Sequence, residues 1–245
     1  MDKKRIAVLS ILIVAFFGVI TAIYVYNSET AQSTITPQTV LSITKLPSPQ
    51  LTGNMSVEQA IEDRRSVRHY STSPLTLADV SQLLWAGQGI TNTTTNLRAA
   101  PSAGQVYPLK LYLVVGTGGV TGLPAGEYLY VPQNNTLEKL SNGDLRAQLA
   151  TIADGQPWVQ QAPVNIVITG NYQKMINKYP DKNLSTRFVN LEAGHVGENI
   201  YLQAEALDLV TVSLGSFDEN QMITLLHLQV NEEPIYIFPV GHPKE

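Results

Sequence analysis

The sequence predicts one α+β domain in which helices wrap a sheet, and two observations support this prediction. Helix and strand patterns are mixed along residues 51–245 without the regular strand–helix–strand order of a parallel sheet. Two strongly apolar runs, Leu109–Val115 and Val164–Thr169, have the length and character of buried strands. The chain has 245 residues, which suits one domain with accessory segments.

The predicted helices begin at capping sequences. Ser56 and Gln59 form a capping-box pattern that opens a helix ending near Arg64, and Thr76 with Asp79 opens the next one. Three more helices are predicted over residues 144–153, 187–207 and 218–227. The longest of them is apolar almost all round, as in helices buried in a core or at a subunit interface.

The remaining strands are short. They are predicted over residues 127–131, 209–214 and 234–240. The glycine-rich run Gly116–Gly119 follows a strand, as in a dinucleotide-binding turn, but a second strand comes after it. Because a helix N-terminus must hold the pyrophosphate in such a site, these glycines are interpreted as a loop between strands.

The N-terminus has the pattern of a membrane anchor. Lys3–Arg5 precede an uncharged run from Ile6 to about Tyr26, which is long enough to cross a bilayer as a helix. We therefore predict an anchor over residues 1–27, a flexible Ser/Thr/Gln/Pro-rich linker over 28–54 and the main domain over 55–245. The basic flank favours a single-pass cell-membrane protein whose domain faces outward, and a cleaved signal peptide would make it secreted.

Composition excludes several functions. The net charge of −4 gives no support to nucleic-acid binding, which needs a basic surface. The absence of cysteine excludes disulfides, thiolate catalysis and cysteine-ligated metals. The histidines are scattered without the spacing of a helical metal pair, so no metal site is predicted.

One short turn concentrates positive charge. Arg64, Arg65 and Arg68 lie within five residues that also contain Ser66. Arginine presents a rigid fork of donors that suits a phosphate, and a serine hydroxyl adds another donor. The turn is therefore a candidate cofactor-phosphate site, with a solvated basic turn as the alternative.

Several motifs in a fixed order point to a family. They are Arg64-Arg65-Ser66-Val67-Arg68, Pro101-Ser102-Ala103-Gly104 with Tyr107-Pro108, Lys178-Tyr179, Glu192-Ala193-Gly194-His195 with Asn199, Leu214-Gly215-Ser216-Phe217-Asp218, and Pro239-Val240-Gly241-His242-Pro243. Over about residues 55 to 243, the chain resembles the FMN-dependent nitroreductase superfamily, and more narrowly its SagB/ThcOx-type dehydrogenase branch.

The resemblance implies a largely antiparallel sheet and a homodimer with two FMN sites at the subunit interface. Arg64, Ser66 and Arg68 would hold the phosphate and ribityl chain, and Arg65 would lie near the flavin edge. Lys244 would replace the C-terminal cation with which many relatives reach the phosphate.

The flavin ring would be lined by two further segments. Pro101, Ser102, Ala103 and Gly104 form a turn whose small residues would approach the ring from the other subunit. Gln105 stands where many nitroreductases have an asparagine that contacts the flavin. Leu214, Gly215 and Ser216 form a segment whose backbone N–H groups would lie near flavin N5.

Lys178 and Tyr179 match the pair with which azoline oxidases handle protons, although they could also be a solvated lysine and a helix-capping tyrosine. The favoured function is FMN-dependent ping-pong hydride transfer. Its substrate would be a small molecule or a peptide, and its electron donor NAD(P)H, a membrane quinol or a redox partner protein. The alternative is a catalytically inactive flavin-binding or accessory domain.

Overall fold

The structure, a computed structural model, describes residues 38–244. Its helices are α1 (Val57–Asp63), α2 (Leu77–Gln88), α3 (Arg146–Ile152), α4 (Pro157–Gln161), α5 (Tyr172–Lys178), α6 (Lys182–Ala206) and α7 (Glu219–Leu225). Its strands are β1 (Ser42–Lys45), β2 (Ile90–Asn92), β3 (Leu97–Arg98), β4 (Leu109–Val115), β5 (Gly126–Val131), β6 (Thr136–Asn142), β7 (Val164–Asn171), β8 (Val210–Thr211) and β9 (Glu232–Gly241).

Seven of these strands form one sheet in the order β1-β6-β5-β4-β7-β9-β8, and each neighbouring pair is antiparallel. The predicted α+β class with a largely antiparallel sheet is thereby confirmed. The apolar runs at β4 and β7 lie side by side in the middle of the sheet, with Tyr112 opposite Val167. They lack polar alternation because both faces of the central sheet are covered.

Each face of the sheet carries its own hydrophobic core. One core joins Leu83, Leu111 and Val196, and so packs α2 and α6 against the sheet. The other joins Tyr112 and Leu149 with residues of α4 and α7. Helices therefore cover the sheet on both sides.

Helix α6 organises the first face. It begins at Lys182, five residues before the predicted start, because Asp181 caps it by accepting a hydrogen bond from Leu184 N at 3.0 Å. At Gly197 the helix lies so close to the sheet that an added Cβ would be 2.9 Å from Phe238 Cζ. The helix is not apolar all round, since His195 and Glu198 are exposed.

Three segments differ from the sequence-based expectations. Ser42–Lys45, within the predicted linker 28–54, form strand β1 and pair with β6. Strand β6 itself was not predicted. The strand predicted over 209–214 is reduced to the two residues of β8, because Leu214 turns away to form an isolated bridge with Ile237.

The prediction of a membrane location is wrong. Within residues 38–244, no helix has both the length and the apolar character needed to span a bilayer. The longest helix there, α6, carries charged side chains such as Arg187 and Glu198 on an exposed face. The predicted anchor, residues 1–27, lies outside the described part of the chain.

Candidate functional site

The basic turn lies where the end of α1 meets β8. Ser66 forms a parallel bridge with Thr211, and Val67 N donates to Thr211 O at 2.9 Å. These backbone contacts hold Arg64, Ser66 and Arg68 in fixed order along the edge of the sheet. The turn is therefore built into the fold rather than carried on a free loop.

Tyr201 of α6 connects this turn to the end of the sheet. Its ring lies under the Arg64 guanidinium, with 5.0 Å from Cζ to the ring centroid. Its Oη lies 3.0 Å from Ser66 Oγ and accepts a hydrogen bond from Ser213 N at 2.7 Å. The sequence analysis did not single out Tyr201, because its partners are far away along the chain.

The arginines of the turn are differently oriented. Arg68 lies over the Trp158 ring, with 5.6 Å from Cζ to the centroid. Arg65 donates from Nη1 to Glu62 O at 2.7 Å and to Arg64 O at 2.8 Å, so its side chain folds back on the helix end. Among residues 38–244, none of the three forms an ion pair with a carboxylate. Glu205 lies within electrostatic range of Arg64 and Arg65 but does not form an ion pair with them, so their guanidinium groups can bind an anion.

Lys244 lies beside the same turn. Tyr70 bridges Pro243, and Ser71 N donates to His242 O at 2.9 Å. These contacts bring the exposed Lys244 next to the segment that follows Arg68. The predicted phosphate ligands thus share one edge of the molecule.

The segment Leu214–Ser216 lies at the same end. Leu214 exchanges backbone hydrogen bonds of 2.9 Å with Ile237, and Gly215 and Ser216 are exposed. Ser216 Oγ is hydrogen bonded to Asp154 Oδ2. Because Ser213 N donates to Tyr201 Oη, the structure places this segment beside the basic turn.

The second glycine-containing segment is a tight turn. Ala103–Gln105 form one turn of 3₁₀ helix in which Gly104 has a φ of +58°. Ser102 Oγ accepts a hydrogen bond from Tyr107 N at 2.9 Å, which closes the turn. Pro101 and Gln105 are exposed on either side.

Lys178 and Tyr179 face this turn from the end of α5. A Cβ added to Gly104 would lie 2.5 Å from Tyr179 Oη and 3.4 Å from Lys178 Cε, so only glycine fits without rearrangement. The Tyr179 ring packs edge-on against Phe188, with 5.2 Å between centroids. Lys178 is exposed and Tyr179 is half-buried. The structure therefore joins the candidate catalytic pair to the Gly104 turn.

The two groups of candidate residues lie at different ends of α6. Phe188 contacts the group around Gly104, whereas Tyr201 contacts the basic turn and Ser213. These two aromatic residues are thirteen positions apart, which corresponds to about 20 Å along a helix axis. One chain thus does not bring Gly104 and Gly215 to the same point.

A ring of polar contacts lies behind the Gly104 turn, and the sequence analysis did not predict these contacts. Arg98 Nη1 donates to Gln88 Oε1 at 2.6 Å, and Gln88 Nε2 donates to Glu192 Oε1 at 3.3 Å. Arg98 N donates to Tyr107 Oη at 3.2 Å, and Tyr107 N binds Ser102. We call these five residues the polar ring.

Burial dominates the electrostatics of the polar ring. Glu192 is 2% exposed, and burial raises its pKa to about 7, although Ser102, Gln88 and Arg98 favour the charged form. Burial lowers the pKa of Arg98. Beside the ring is a cavity of about 260 Å³ whose wall includes Gln88, Arg98, Tyr107 and Lys174.

Comparison with known proteins identifies the family of the chain. A model of the nitroreductase family matches residues 61–242, and the chain belongs to that family, whose members are flavin-dependent oxidoreductases. The chain is 36% identical over 191 residues to MJ1384 of Methanocaldococcus jannaschii, named as a nitroreductase. That match covers 78% of this chain and 93% of the relative.

Solved structures show the same fold. A structure from Ralstonia eutropha JMP134, described as a nitroreductase, has a TM-score of 0.72 and 28% identity, covering 86% of this chain and 94% of that one. A chain of the Escherichia coli microcin synthetase McbBCD complex with truncated pro-MccB17 has a TM-score of 0.64. It is 16% identical, covers 93% of both chains, and so indicates the fold alone.

Proposed function

We propose that this chain is an FMN-dependent oxidoreductase and that the basic turn binds the FMN phosphate. The observation that carries the proposal is the set of arginines without ion-pair partners among residues 38–244. Arg64 and Arg68 are held in place by aromatic rings, which reduces the side-chain entropy lost on binding. A phosphate dianion would supply the negative charge with which these guanidinium groups can pair.

The roles of the other ligands follow from their positions. Ser66 is held by Tyr201 and is placed to donate to the phosphate or ribityl oxygens, and Lys244 adds a flexible cation at the same edge. Arg65 uses its Nη1 to bind two backbone carbonyls, which holds its guanidinium back on the helix end, so it contributes charge more than direct hydrogen bonds. The exposed backbone at Gly215 and Ser216 is available to the ring.

The distance along α6 between the basic turn and the Gly104 turn supports a homodimer. The basic turn and Gly215 lie at one end of α6, and Pro101–Gln105 with Lys178 and Tyr179 lie about 20 Å away at the other. An isoalloxazine ring is much shorter than this distance. We therefore infer that each FMN is bound by the basic turn of one protomer and the Gly104 turn of its partner, in a homodimer such as nitroreductase homologues typically form.

When bound, FMN would accept a hydride from one substrate and pass it to a second in a ping-pong cycle. The contribution of the chain is to position reactants and move protons. Lys178 and Tyr179 lie beside Gly104, where the ammonium or the phenol hydroxyl can donate the proton that accompanies hydride transfer and the neutral amine can accept one. NAD(P)H, the usual donor of nitroreductase homologues, is the proposed reductant.

Flavin retention tests the proposal. The double variant Arg64→Ala/Arg68→Ala should lose bound FMN, measured as flavin absorbance per purified chain with the released chromophore identified by chromatography. The matched control is Lys182→Ala/Arg187→Ala, which removes two exposed cations from the first turns of α6. A double variant that keeps a full complement of FMN would refute the phosphate assignment.

Lys178 and Tyr179 support a more specific function within the family. Their position beside Gly104 suits a SagB-type dehydrogenase, in which a base removes a ring proton of an azoline peptide as hydride leaves for the flavin. Turnover of an azoline-containing peptide should then fall sharply in Tyr179→Phe, whereas reduction of a nitroaromatic should change little. Equal effects on both substrates would favour a general nitroreductase.

The competing possibility is a domain that binds flavin without turning over. Rapid mixing with NADH or NADPH distinguishes this possibility from an active enzyme, because reduction at a functional site removes nearly all of the absorbance of the oxidised flavin. Flavin that stays oxidised with both donors, but is reduced by dithionite, would instead indicate a dedicated protein donor or an accessory role.

A further inference from the structure

The cavity of about 260 Å³ lies where strands β4 and β5 separate. Ladder pairing between these two strands ends at Tyr112 and Leu129, although β4 begins at Leu109 and β5 continues to Val131. The strand ends that are not paired with each other line the cavity, so a large part of its wall is apolar. The proposed hydride transfer assigns no role to this space.

The polar wall of the cavity is built around Tyr107. The Arg98 Cζ atom lies 4.7 Å from the centroid of the Tyr107 ring, and Lys174 Nζ donates to Tyr107 O at 2.9 Å. All three residues line the cavity. Both cations are therefore anchored at the cavity wall by contacts with one residue. Because Tyr107 N donates to Ser102 Oγ, this wall is also joined to the Gly104 turn.

The cavity wall carries positive charge and no acidic residue. Among the residues that the structure describes, no aspartate or glutamate lines the cavity, and neither Arg98 nor Lys174 forms an ion pair. Lys110 also lines the cavity, but its Nζ is paired with Glu232 at 2.7 Å. Arg98 and Lys174 thus provide the charge that is left for a ligand.

The hydrogen bonds of the two cations leave donors available. Arg98 is half-buried, and its Nη1 donates to Gln88 Oε1 at 2.6 Å, which leaves the other donors of its fork for a ligand. Glu192 lies behind Gln88 and favours the charge of both cations without an ion pair. Burial nevertheless lowers the pKa of Arg98 and of Lys174, and the positive charge of Arg98 lowers that of Lys174 further. An anion in the cavity would relieve this unfavourable electrostatic environment.

We propose that this cavity binds a small organic anion, whose oxyanion group is held by Arg98 and Lys174 and whose apolar body lies against the separated ends of β4 and β5. Carboxylate and phosphate groups share the required chemistry, because each accepts hydrogen bonds from the fork of an arginine and from a lysine ammonium. The volume is below the range of drug-sized ligands, about 300 to 1,000 Å³, and so suits a smaller molecule. This inference goes beyond the proposed FMN site and does not depend on it.

The test is titration of the full-length, FMN-saturated protein with cyclohexanecarboxylate and with cyclohexyl phosphate, measured by saturation-transfer NMR of the probe at constant ionic strength. Their rings are not planar and stack poorly on a flavin. Cyclohexanecarboxamide is the neutral match. We expect a Kd on the order of 1 mM for the better anion and about tenfold weaker binding of the amide. The anion that binds more tightly identifies the oxyanion group that the cavity prefers.

Two variants test the cations separately. Lys174→Gln removes a charge but keeps a side chain that can donate to Tyr107 O, and Arg98→Gln removes the fork. Each should raise the Kd of the anion about threefold to tenfold and leave that of the amide unchanged. If Arg98→Gln fails to fold, Lys174→Gln alone decides. Lys182→Gln is the matched control, because Lys182 is an exposed cation outside the cavity, and it should bind the anion as the wild type does.

The flavin-free variant Arg64→Ala/Arg68→Ala distinguishes the cavity from the basic turn, and it should bind the anion with the wild-type Kd. Loss of anion binding in this variant would assign the anion to the basic turn and overturn the inference. Binding that appears only in the absence of FMN would also overturn it, because the cavity would then belong to the flavin site.

The remaining outcomes are equally decisive. An anion Kd that is unchanged in both Lys174→Gln and Arg98→Gln, equal binding of the amide, or no binding at about tenfold the expected Kd would each overturn the inference. Failure of the wild type to bind FMN would overturn the proposed function alone, because the anion titration can be made without flavin.

Discussion

Tyr201 Oη lies 3.0 Å from Ser66 Oγ, across 135 positions of sequence, and joins the basic turn to the last part of the sheet. The same oxygen accepts from Ser213 N, directly before the segment proposed to face flavin N5. Tyr201 therefore links the basic turn, near the beginning of the domain, to the segment that follows Ser213, near its end.

Removal of this hydroxyl should affect stability and flavin binding together. Tyr201→Phe leaves Ser213 N without its acceptor, and we expect a loss of about 1 to 2 kcal/mol in the free energy of unfolding, measured with urea. FMN should also bind more weakly. The control is Tyr172→Phe, because the Tyr172 hydroxyl binds the exposed Asn190 at 2.7 Å. A larger loss in the control would contradict the assigned role.

Gly104 should resist substitution for two separable reasons. Gly104→Ala places a side chain at a φ of +58° and a Cβ 2.5 Å from Tyr179 Oη. Gly118→Ala shares only the first difficulty, since Gly118 has a φ of +68° and open space around it. Both variants should lose about 1 to 2 kcal/mol of stability from backbone strain. Only Gly104→Ala should also weaken FMN binding in a fluorescence titration.

Glu127 should make the protein less stable as the pH rises. It is fully buried, neither carboxyl oxygen has a hydrogen-bond partner among the described residues, and burial raises its pKa to about 8. The native state keeps the proton where the unfolded chain has lost it, so the stabilising effect is complete at low pH and disappears through pH 8.

Urea unfolding at several pH values tests this expectation. Between about pH 5 and about pH 8, the unfolding free energy should fall by on the order of 1 to 3 kcal/mol, and Glu127→Gln should reduce that slope. Glu198→Gln should leave it unchanged. Part of the slope should persist in Glu127→Gln, because the pKa of Glu192 is also raised.

Asp144 should have the opposite pH dependence. Hydrogen bonds from the Arg146 guanidinium, at 2.7 and 2.9 Å, hold the pKa of Asp144 well below its usual range. Its contribution is present above the unfolded-state pKa and is lost as the pH falls through the folded one. Asp144→Asn should therefore cost about 1 to 2 kcal/mol at neutral pH and less in acid. Asp208→Asn, at an exposed position, should show no such difference.

The predictable parts of the fold are those with a local signal. The runs Leu109–Val115 and Val164–Thr169 are strands because their apolar residues are buried on both faces. The caps at Ser56 and Thr76 were found because four consecutive residues suffice to form them. Strand β6 was missed because its polar residues resemble a loop, and only pairing with β5 and β1 makes it a strand.

The candidate site likewise contains some residues that the sequence predicts and others that only the fold reveals. The cluster of arginines in one turn could be recognised from the sequence, and so could the glycine that follows two small residues. Tyr201 was missed and Glu192 was noted only as part of a family motif, because their partners come from distant elements. Gln88 reaches Glu192 across 104 residues. On a helix with many buried positions, neither residue differs from a core residue until the fold is known.

The distance between the Gly104 turn and the basic turn along α6 has a consequence for inheritance. If each flavin draws on two chains, an allele damaged at Gly104 and an allele damaged at Arg64 and Arg68 are both inactive alone but complement each other. In a dimer that contains one copy of each variant, one flavin site includes both damaged segments and the other site includes neither. Coexpression with random pairing should then restore about a quarter of the wild-type sites.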